Sequence, residues 1–432
     1  MKVWLINPPS PDGHIYIRDL NRSGRRSKEL TIWPQVSLAM IAGSLPEYEC
    51  RIIDCIAERK NYAYLQAELR SGKPDWVIFN SISSTLTSDM LTSFYAKSVG
   101  AKTLSVGAHI GAKRIETLNQ FPSCDYGISG RPENKIRRII TGKPCNKTFS
   151  ELPSPRYDLL PKSKYHLPII GNFMFVPLIR GCYNRCIFCR QNVTWKGKVE
   201  FRNPSQVRKE IEENGLKTVI FHADTATLDR RYMINLCKEI KPTGVKWICN
   251  SRVNTVDRHL LSYMKSAGCW MICYGIESGD NQVLKLNKKE ATVEEAELAV
   301  KWTKDAGIKV WGYFMLGLYG DTRETMEKTV ALSKRLPCDL VNFAVSSPYP
   351  GTEWNKIASK KGWINSSYWE DYDQNYSAIV CQANCPPSLV IQYIKKAYLS
   401  WYLRPYGIAK FLSMLKLSEI PFWLKLIRNH IR

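Results

Sequence analysis

Short, nearly continuous apolar runs alternate with helically spaced stretches over the first third of the chain. The runs at 3–7, 51–55, 76–80, 103–107 and 125–129 have the pattern of strands buried on both faces of a parallel sheet, and 37–45 and 88–99 repeat apolar residues at helical spacing. This alternation predicts an α/β, doubly wound, Rossmann-like sheet over residues 1–140, with ligands held beyond the carboxyl ends of its strands. Residues 141–164 hold several prolines and little periodicity, which predicts a linker, drawn at 141–170. The alternation then returns in longer units, with strands at 173–180, 218–223, 246–250, 271–276, 310–316 and 340–345 and helices at 205–213, 257–267, 293–306 and 322–336. Six βα units are too few to close an eight-stranded barrel, so 171–352 is predicted to be a partial, TIM-like (β/α)6 crescent with its chemistry at the strands' carboxyl ends. After Gly351 an aromatic and polar segment leads into a basic tail, and 353–432 is predicted to be a mostly helical extension.

The 432 residues carry 62 Lys and Arg against 39 Asp and Glu, a formal net charge of +23. Such an excess favours an anionic contact: nucleic acid, phospholipid or a phosphorylated substrate. From Pro386 onward Lys395, Lys396, Arg404, Lys410, Lys416, Lys425, Arg428 and Arg432 stand against one acid, Glu419, with Trp401, Tyr402, Phe411, Phe422 and Trp423 interleaved. That pattern fits a helical cap with a solvated basic face, and it also fits helices lying on an anionic membrane. The amino terminus offers only the apolar run VWLI before Asn7-Pro8-Pro9, too short for a signal peptide or a membrane span. A cytoplasmic protein is expected, with peripheral membrane contact through the tail as an option. Fourteen cysteines without an export signal indicate reduced thiols, some serving metal and most buried as small hydrophobes; Cys381 and Cys385 are read as core or surface thiols.

The segment RGCYNRCIFCRQN follows the first strand of the crescent and sets Cys182, Cys186 and Cys189 on one loop at its catalytic end. Three thiolates so spaced can ligate three irons of a [4Fe–4S] cluster and leave the fourth iron open to chemistry. A structural zinc site normally takes four protein ligands, and His166 or His222 would have to supply the fourth. The segment resembles the signature of the radical S-adenosylmethionine (SAM) superfamily, which has three cysteines in this spacing and an aromatic residue, here Phe188, before the last. The resemblance implies that SAM binds the open iron through its amino and carboxylate groups. One electron, from a donor such as flavodoxin or ferredoxin, then cleaves it to a 5′-deoxyadenosyl radical that takes hydrogen from the substrate. The resemblance continues along the crescent: Asp224 in FHADTAT for the SAM amino group, Arg252 in ICNSRVN for its carboxylate, Glu277 in YGIESG for the ribose or methionyl end, and Gly317 in GYFMLGLYGDT for adenine. Relatives commonly have two acids where this chain has Ala223-Asp224, and Tyr319 and Asp321 replace a proline and a glutamate. Each residue alone also has an ordinary reading: Asp224 as a helix cap, Glu277 as the partner of a lysine, Gly317 as a turn.

The first part of the chain resembles the cobalamin-binding domain fused ahead of the barrel in one branch of that superfamily, through VWLINPP, WPQVSLAMIAGSL, IIDC, FNSISSTLTSD and SVGAHIGAKRIETL. With the barrel, the resemblance runs to about residue 352. Ser81, Ser83, Ser84 and Thr85 follow the third strand and Gly107, Ala108 and His109 the fourth, where an open sheet holds a flat cofactor. Ser81, Thr85, Gly107, Ala108 and His109 are therefore the candidate cobalamin contacts. The Asp-x-His-x-x-Gly motif is absent, so His109 is read as a locally bonded structural histidine and not as a cobalt ligand. The resemblance implies a cobalamin-dependent methyltransferase acting at an unactivated carbon of a natural-product or lipid-like small molecule. The residues leave open a first domain that keeps its fold without cobalamin, in an enzyme of oxidation, ring formation or rearrangement. A tRNA methylthiotransferase ranks lower, because Cys50, Cys55 and Cys124 are poorly spaced for a second cysteine triplet. The non-enzymatic alternative is a nucleic-acid-binding protein with a structural metal.

Overall fold

Residues whose side chains are apolar on both faces form the strands of two parallel sheets. In the computed structural model, which describes residues 1–20, 24–414 and 419–420, the first sheet contains β1 (Lys2–Asn7), β2 (Glu49–Asp54), β3 (Trp76–Asn80), β4 (Lys102–Val106) and β5 (Tyr126–Ile128) in the order β2-β1-β3-β4-β5. All four pairings are parallel. Helices α1 (Val36–Gly43), α2 (Tyr62–Gly72), α3 (Leu86–Lys97), α4 (Ala108–Gln120) and α5 (Pro132–Thr141) complete this unit. The strand order reverses between β1 and β3, which opens the ligand crevice of a doubly wound sheet at their carboxyl ends.

The second sheet is singly wound: β6 (Met174–Pro177), β7 (Thr218–His222), β8 (Lys246–Arg252), β9 (Cys269–Glu277), β10 (Lys309–Leu316) and β11 (Leu340–Val345) pair in chain order. Its outer strands β6 and β11 do not pair with each other among the described residues, so it is an open crescent. Period-two alternation sets its two faces: Val310, Phe314 and Leu316 of β10 are buried, whereas Trp311, Tyr313 and Met315 are only half-buried and face the inside. The helices between the strands are α6 (Gln191–Trp195), α7 (Pro204–Glu213), α8 (Arg230–Ile240), α9 (Arg258–Ser266), α10 (Asn281–Leu286), α11 (Val293–Asp305) and α12 (Arg323–Arg335). The strand expected at 173–180 is shorter than its apolar run. β6 stops at Pro177, which has no N–H for the ladder, and Ile179–Arg180 pairs antiparallel with Glu200–Phe201.

Two connections are more than loops. Phe149, Leu152, Tyr157, Leu160 and Tyr165 pin the segment expected as a linker into the main core. The described residues between β1 and α1, 8–20 and 24–35, form a strap across the open side of the crescent. At the β6–β7 side the Trp33 ring packs on Phe175 at 4.9 Å and Asp19 Oδ2 stands 2.8 Å from His222 Nε2. At the other side the Arg25–Glu29 ion pair stands beside Tyr313.

After β11 come α13 (Glu353–Lys360), α14 (Pro387–Tyr402) and α15 (Pro405–Met414). α14 covers the edge of β11: the Tyr398 hydroxyl accepts from Phe343 N–H at 3.1 Å and the Tyr402 hydroxyl donates to Val341 O at 2.8 Å. Trp401 is fully buried, so this part of the tail is the helical cap expected for an amphipathic helix. Lys416, Phe422, Trp423, Lys425, Arg428 and Arg432 lie outside the described residues. No helix among the described residues is long and apolar enough to cross a membrane.

Candidate functional site

The cysteine loop leaves the crescent through Gly181, whose φ is +81° and whose Cβ, if present, would lie 1.9 Å from Lys198 O. Only glycine fits there. Cys182 and Cys186 are buried and Cys189 is half-buried. Asn184 Nδ2–H donates to Cys182 Sγ at 3.2 Å, and Arg252 Nη1–H donates to Cys186 Sγ at 3.5 Å. Burial, and then the nearby Cys186, Asp224 and Cys182, push the Cys189 thiol up. An uncoordinated thiol there stays protonated, whereas a bound metal deprotonates it. Among the described residues no three His, Cys, Asp or Glu converge on a single ion position. Ligands of three different irons in a cubane stand farther apart than ligands of one zinc. The histidines that a zinc reading would need are engaged elsewhere, His166 with Glu419 at 2.7 Å and His222 beside Asp19.

The next residues form a chain leading away from Cys186. Arg252, at the end of β8, also donates through Nη2 to the carbonyls of Lys289 and, at 3.2 Å, Glu290. Lys289 Nζ donates to Glu277 Oε1 at 2.8 Å, with both side chains largely buried. Gly275 makes room for this pair: a Cβ there would fall 2.5 Å from Glu277 Oε1 and 3.0 Å from Lys289 Nζ. Glu277 itself has φ +70°, at the register shift where β9 passes β10. A non-glycine residue in that region stores strain of order 1–3 kcal/mol, of the kind concentrated at functional sites. Asp224 is half-buried, in the electrostatic neighbourhood of Cys189. Gly317 (φ +78°) sits where a Cβ would meet Val390 of α14 at 3.1 Å, and Gln382 Nε2 donates to Leu318 O at 2.9 Å, fixing the turn. Asp321 closes the same turn by accepting from Leu318 N–H at 2.9 Å, its carboxyl pushed up to about 6 by burial. Phe188 and Tyr319 both pack against the apolar cluster that contains Trp354. Cys182, Cys186, Cys189, Asp224, Arg252 and Glu277 thus gather at one end of the crescent, while Gly317 and Phe188 border it. Lys289 belongs to no motif and was not foreseen.

At the first sheet, Gly107 has φ +140° and its missing Cβ would lie 2.1 Å from Ser81 O. Ser81 Oγ bonds Ser105 Oγ at 2.8 Å, and Thr85 Oγ1 donates to Asp89 Oδ2 at 2.8 Å. His109 is buried, its Nδ1 2.9 Å from Ser83 Oγ and its ring edge-on to Trp369 at 4.8 Å. Burial, then Arg190, lowers its pKa to about 3, so it is the neutral, locally bonded histidine expected. Ser84 Oγ is buried without a partner among the described residues, an unmet hydroxyl just past the end of β3. The two candidate sites meet at Arg190. This residue follows Cys189 directly, is 3% exposed, and donates through Nη2 to Ala108 O in the Gly107–His109 turn. Burial lowers its pKa to about 10. The sequence gives no sign of this bridge, because an arginine after the last cysteine has no spacing signal of its own.

The family model of the radical SAM superfamily matches residues 176–333, the span from β6 to α12 that contains the cysteine loop and the Arg252–Glu277 chain. Residues 176–333 are a radical SAM domain. Members of that superfamily use a [4Fe–4S] cluster and SAM, so this radical SAM protein is an enzyme. It is 26% identical, over 95% of its length and 94% of the relative's, to an uncharacterised methyltransferase of Pyrococcus horikoshii. Its fold is that of TsrM from Kitasatospora setae, a radical SAM methyltransferase solved with cobalamin and a [4Fe–4S] cluster, with a TM-score of 0.69 and 12% identity over 97% of this chain and 91% of that one. It is also that of OxsB, a cobalamin-dependent SAM radical enzyme, with a TM-score of 0.58 and 14% identity over 92% of this chain and 61% of OxsB. At these identities the two structures show a shared fold.

Proposed function

We propose that this radical SAM enzyme is a cobalamin-dependent methyltransferase acting at an unactivated carbon of a natural-product or lipid-like small molecule. The observation that carries the reading is the Arg190 bridge to Ala108, which joins the cysteine loop to the strand ends of the first sheet within one hydrogen bond. Methyl transfer to a carbon radical needs a radical generator and a methyl carrier on opposite sides of one substrate, and here the two candidate sites share a wall. When bound, the cluster and SAM supply hydrogen abstraction and cobalamin supplies the methyl group. In this reading Cys182, Cys186 and Cys189 hold three irons. Asp224, Arg252 and Glu277 orient the methionyl part of SAM, and Gly317 and Phe188 line its pocket. Ser81, Thr85, Gly107, Ala108 and His109 face the corrinoid. The Ser84 hydroxyl, unmet among the described residues, fits a large ligand seated closely on β3 and β4. Residues 1–140 form the corrinoid unit and 171–352 the radical unit, with an acidic one-electron donor and, through the tail, an anionic lipid surface as further partners.

Anaerobic reconstitution tests this reading. The loaded protein is expected to carry about four irons and four sulfides, to show a corrinoid absorption band, and to make 5′-deoxyadenosine from SAM. Cys182→Ala, Cys186→Ala and Cys189→Ala are each expected to abolish the last. A protein with cluster but no corrinoid band would remove methyl transfer from the proposal, and 5′-deoxyadenosine from the triple variant would remove the cysteine assignment.

A further inference from the structure

The strap, residues 8–20 and 24–35, borders both candidate sites. Gly24 lies against Ile82 at the end of β3, where a Cβ would fall 2.3 Å from the isoleucine side chain, and Tyr349 Oη donates to Gly24 O at 3.3 Å. One residue on, Arg25 pairs with Glu29 at 2.9 Å beside Tyr313, on the inner wall of the crescent. Arg26 N–H donates to Asp373 Oδ2 at 3.0 Å. Residues 24–29 therefore bound the space between the first sheet and the crescent, where the substrate of the proposed reaction has to sit.

Lys28 is the one basic residue of this segment without an ion pair among the described residues, although the charges of Glu29 and Asp373 reach it. It is 7% exposed, and its Nζ stands 5.4 Å from the Tyr376 ring centroid and 5.1 Å from that of Tyr398. Among the described residues no carboxylate or other acceptor stands within bonding distance of it, and the nearest acids are taken: Glu29 by Arg25, and Asp373 by Arg26 and the Asn375 N–H. Two ring faces recover only part of the hydration that a buried ammonium gives up. Burial lowers its pKa to about 8, which still leaves it mainly protonated near neutrality. A second unmet donor stands on the same side of the crescent. Trp311 Nε1–H is buried without a partner among the described residues, on a ring 5.6 Å from that of Tyr313.

We infer that Lys28 anchors an anionic group of the substrate, and that residues 24–29 are the element that selects a small organic anion. This assignment rests on reading the crescent as the substrate chamber of the proposed methyltransferase. It predicts a substrate that carries a carboxylate or a phosphate at the end remote from the reacting carbon, with the Arg25–Glu29 pair and Trp311 lining the path to it.

Three matched probes test the assignment on the full chain: 3-phenylpropionate, 3-phenylpropyl phosphate and 3-phenylpropanamide, titrated calorimetrically into wild type, Lys28→Met, Lys28→Arg and the exposed control Lys217→Met. Wild type is expected to bind at least one anion about tenfold or more tighter than the amide, and whether that anion is the carboxylate or the phosphate names the headgroup. Lys28→Met is expected to erase the preference, Lys28→Arg to keep most of it, and Lys217→Met to leave it unchanged. Without ligand, Lys28→Met is expected to melt above wild type, because it removes a buried cation held in reserve for a ligand. Equal binding of anions and amide by wild type, no binding of any probe, an anion preference that survives in Lys28→Met, or a Lys28→Met melting point below wild type would each overturn the assignment. A protein with the anion preference but no corrinoid band would keep this site and lose the methyl-transfer reading, so the two failures are separable.

Discussion

His109 shows how a single side chain couples the first sheet to pH. Burial and the Arg190 charge hold its folded pKa near 3, against 6.5 for a free histidine. The unfolded chain therefore binds a proton at this position before the folded chain does. The resulting stability is complete above pH 6.5 and is lost as pH falls toward 3, at ~1.4 kcal/mol per pH unit. Between pH 7.5 and 5.5 wild type is expected to lose about 1.4 kcal/mol more than His109→Gln, read as the difference in urea midpoints. Equal losses would mean that another group carries the proton. At this scale the sequence spoke where chemistry needs a fixed spacing: the three cysteines fall within eight positions, and that density was visible without coordinates. Lys289 and Arg190 stayed hidden, because their partners, Glu277 and Ala108, are distant in sequence and each depends on how two loops turn. The positive φ of Glu277 was equally invisible, since nothing in the letters YGIESG reports a register shift between β9 and β10.

The cysteine loop is only as rigid as the elements behind it, and α5 is one of them. Glu133, in the first turn of α5, makes two bonds to Arg180 at the mouth of the loop, with Oε2 to Nη1 at 3.0 Å and both side chains buried. The Arg180 guanidinium also lies 4.2 Å over the Phe149 ring. Removing one partner of a buried pair leaves a buried charge and typically costs about 3–5 kcal/mol. Glu133→Gln keeps one acceptor and is expected at the lower end of that range, about 3 kcal/mol, with a lower melting temperature and less iron retained after anaerobic gel filtration. A variant that melts and retains iron as wild type does would show that α5 does not brace the loop. Elements of this kind were legible when a regular period marked them. The strands at 76–80 and 340–345 match β3 and β11 residue for residue, because apolar runs bounded by turns leave little choice of register. β6 ended early at Pro177, where a missing N–H overrode an apolar run that continues to Ile179. The strap left no signal, because Tyr16, Ile17 and Leu20 bury themselves through tertiary contacts and follow neither a helical nor a strand period.

For the molecule as a whole, the two sheets are not separate bodies joined by a tether. One continuous core runs from Val3, Leu5, Leu38, Ile41 and Ile78 of the first unit through Phe149, Tyr157 and Tyr165 to Phe175, Val176 and Leu178 of the crescent. Polar ties cross the same boundary: Arg202 donates to Leu152 O at 2.7 Å, and the Tyr165 hydroxyl donates to Asp54 Oδ2 at 2.8 Å. Domains that touch through small, polar interfaces move and melt independently, whereas a shared apolar core makes them cooperative. Calorimetry of the full chain is therefore expected to give one transition with equal calorimetric and van't Hoff enthalpies, and two resolved transitions would show that the shared core does not couple the units. The functional consequence follows from the same packing. If the first sheet cannot swing away without opening the core, the distance between the cysteine loop and the Gly107–His109 turn is set by the fold.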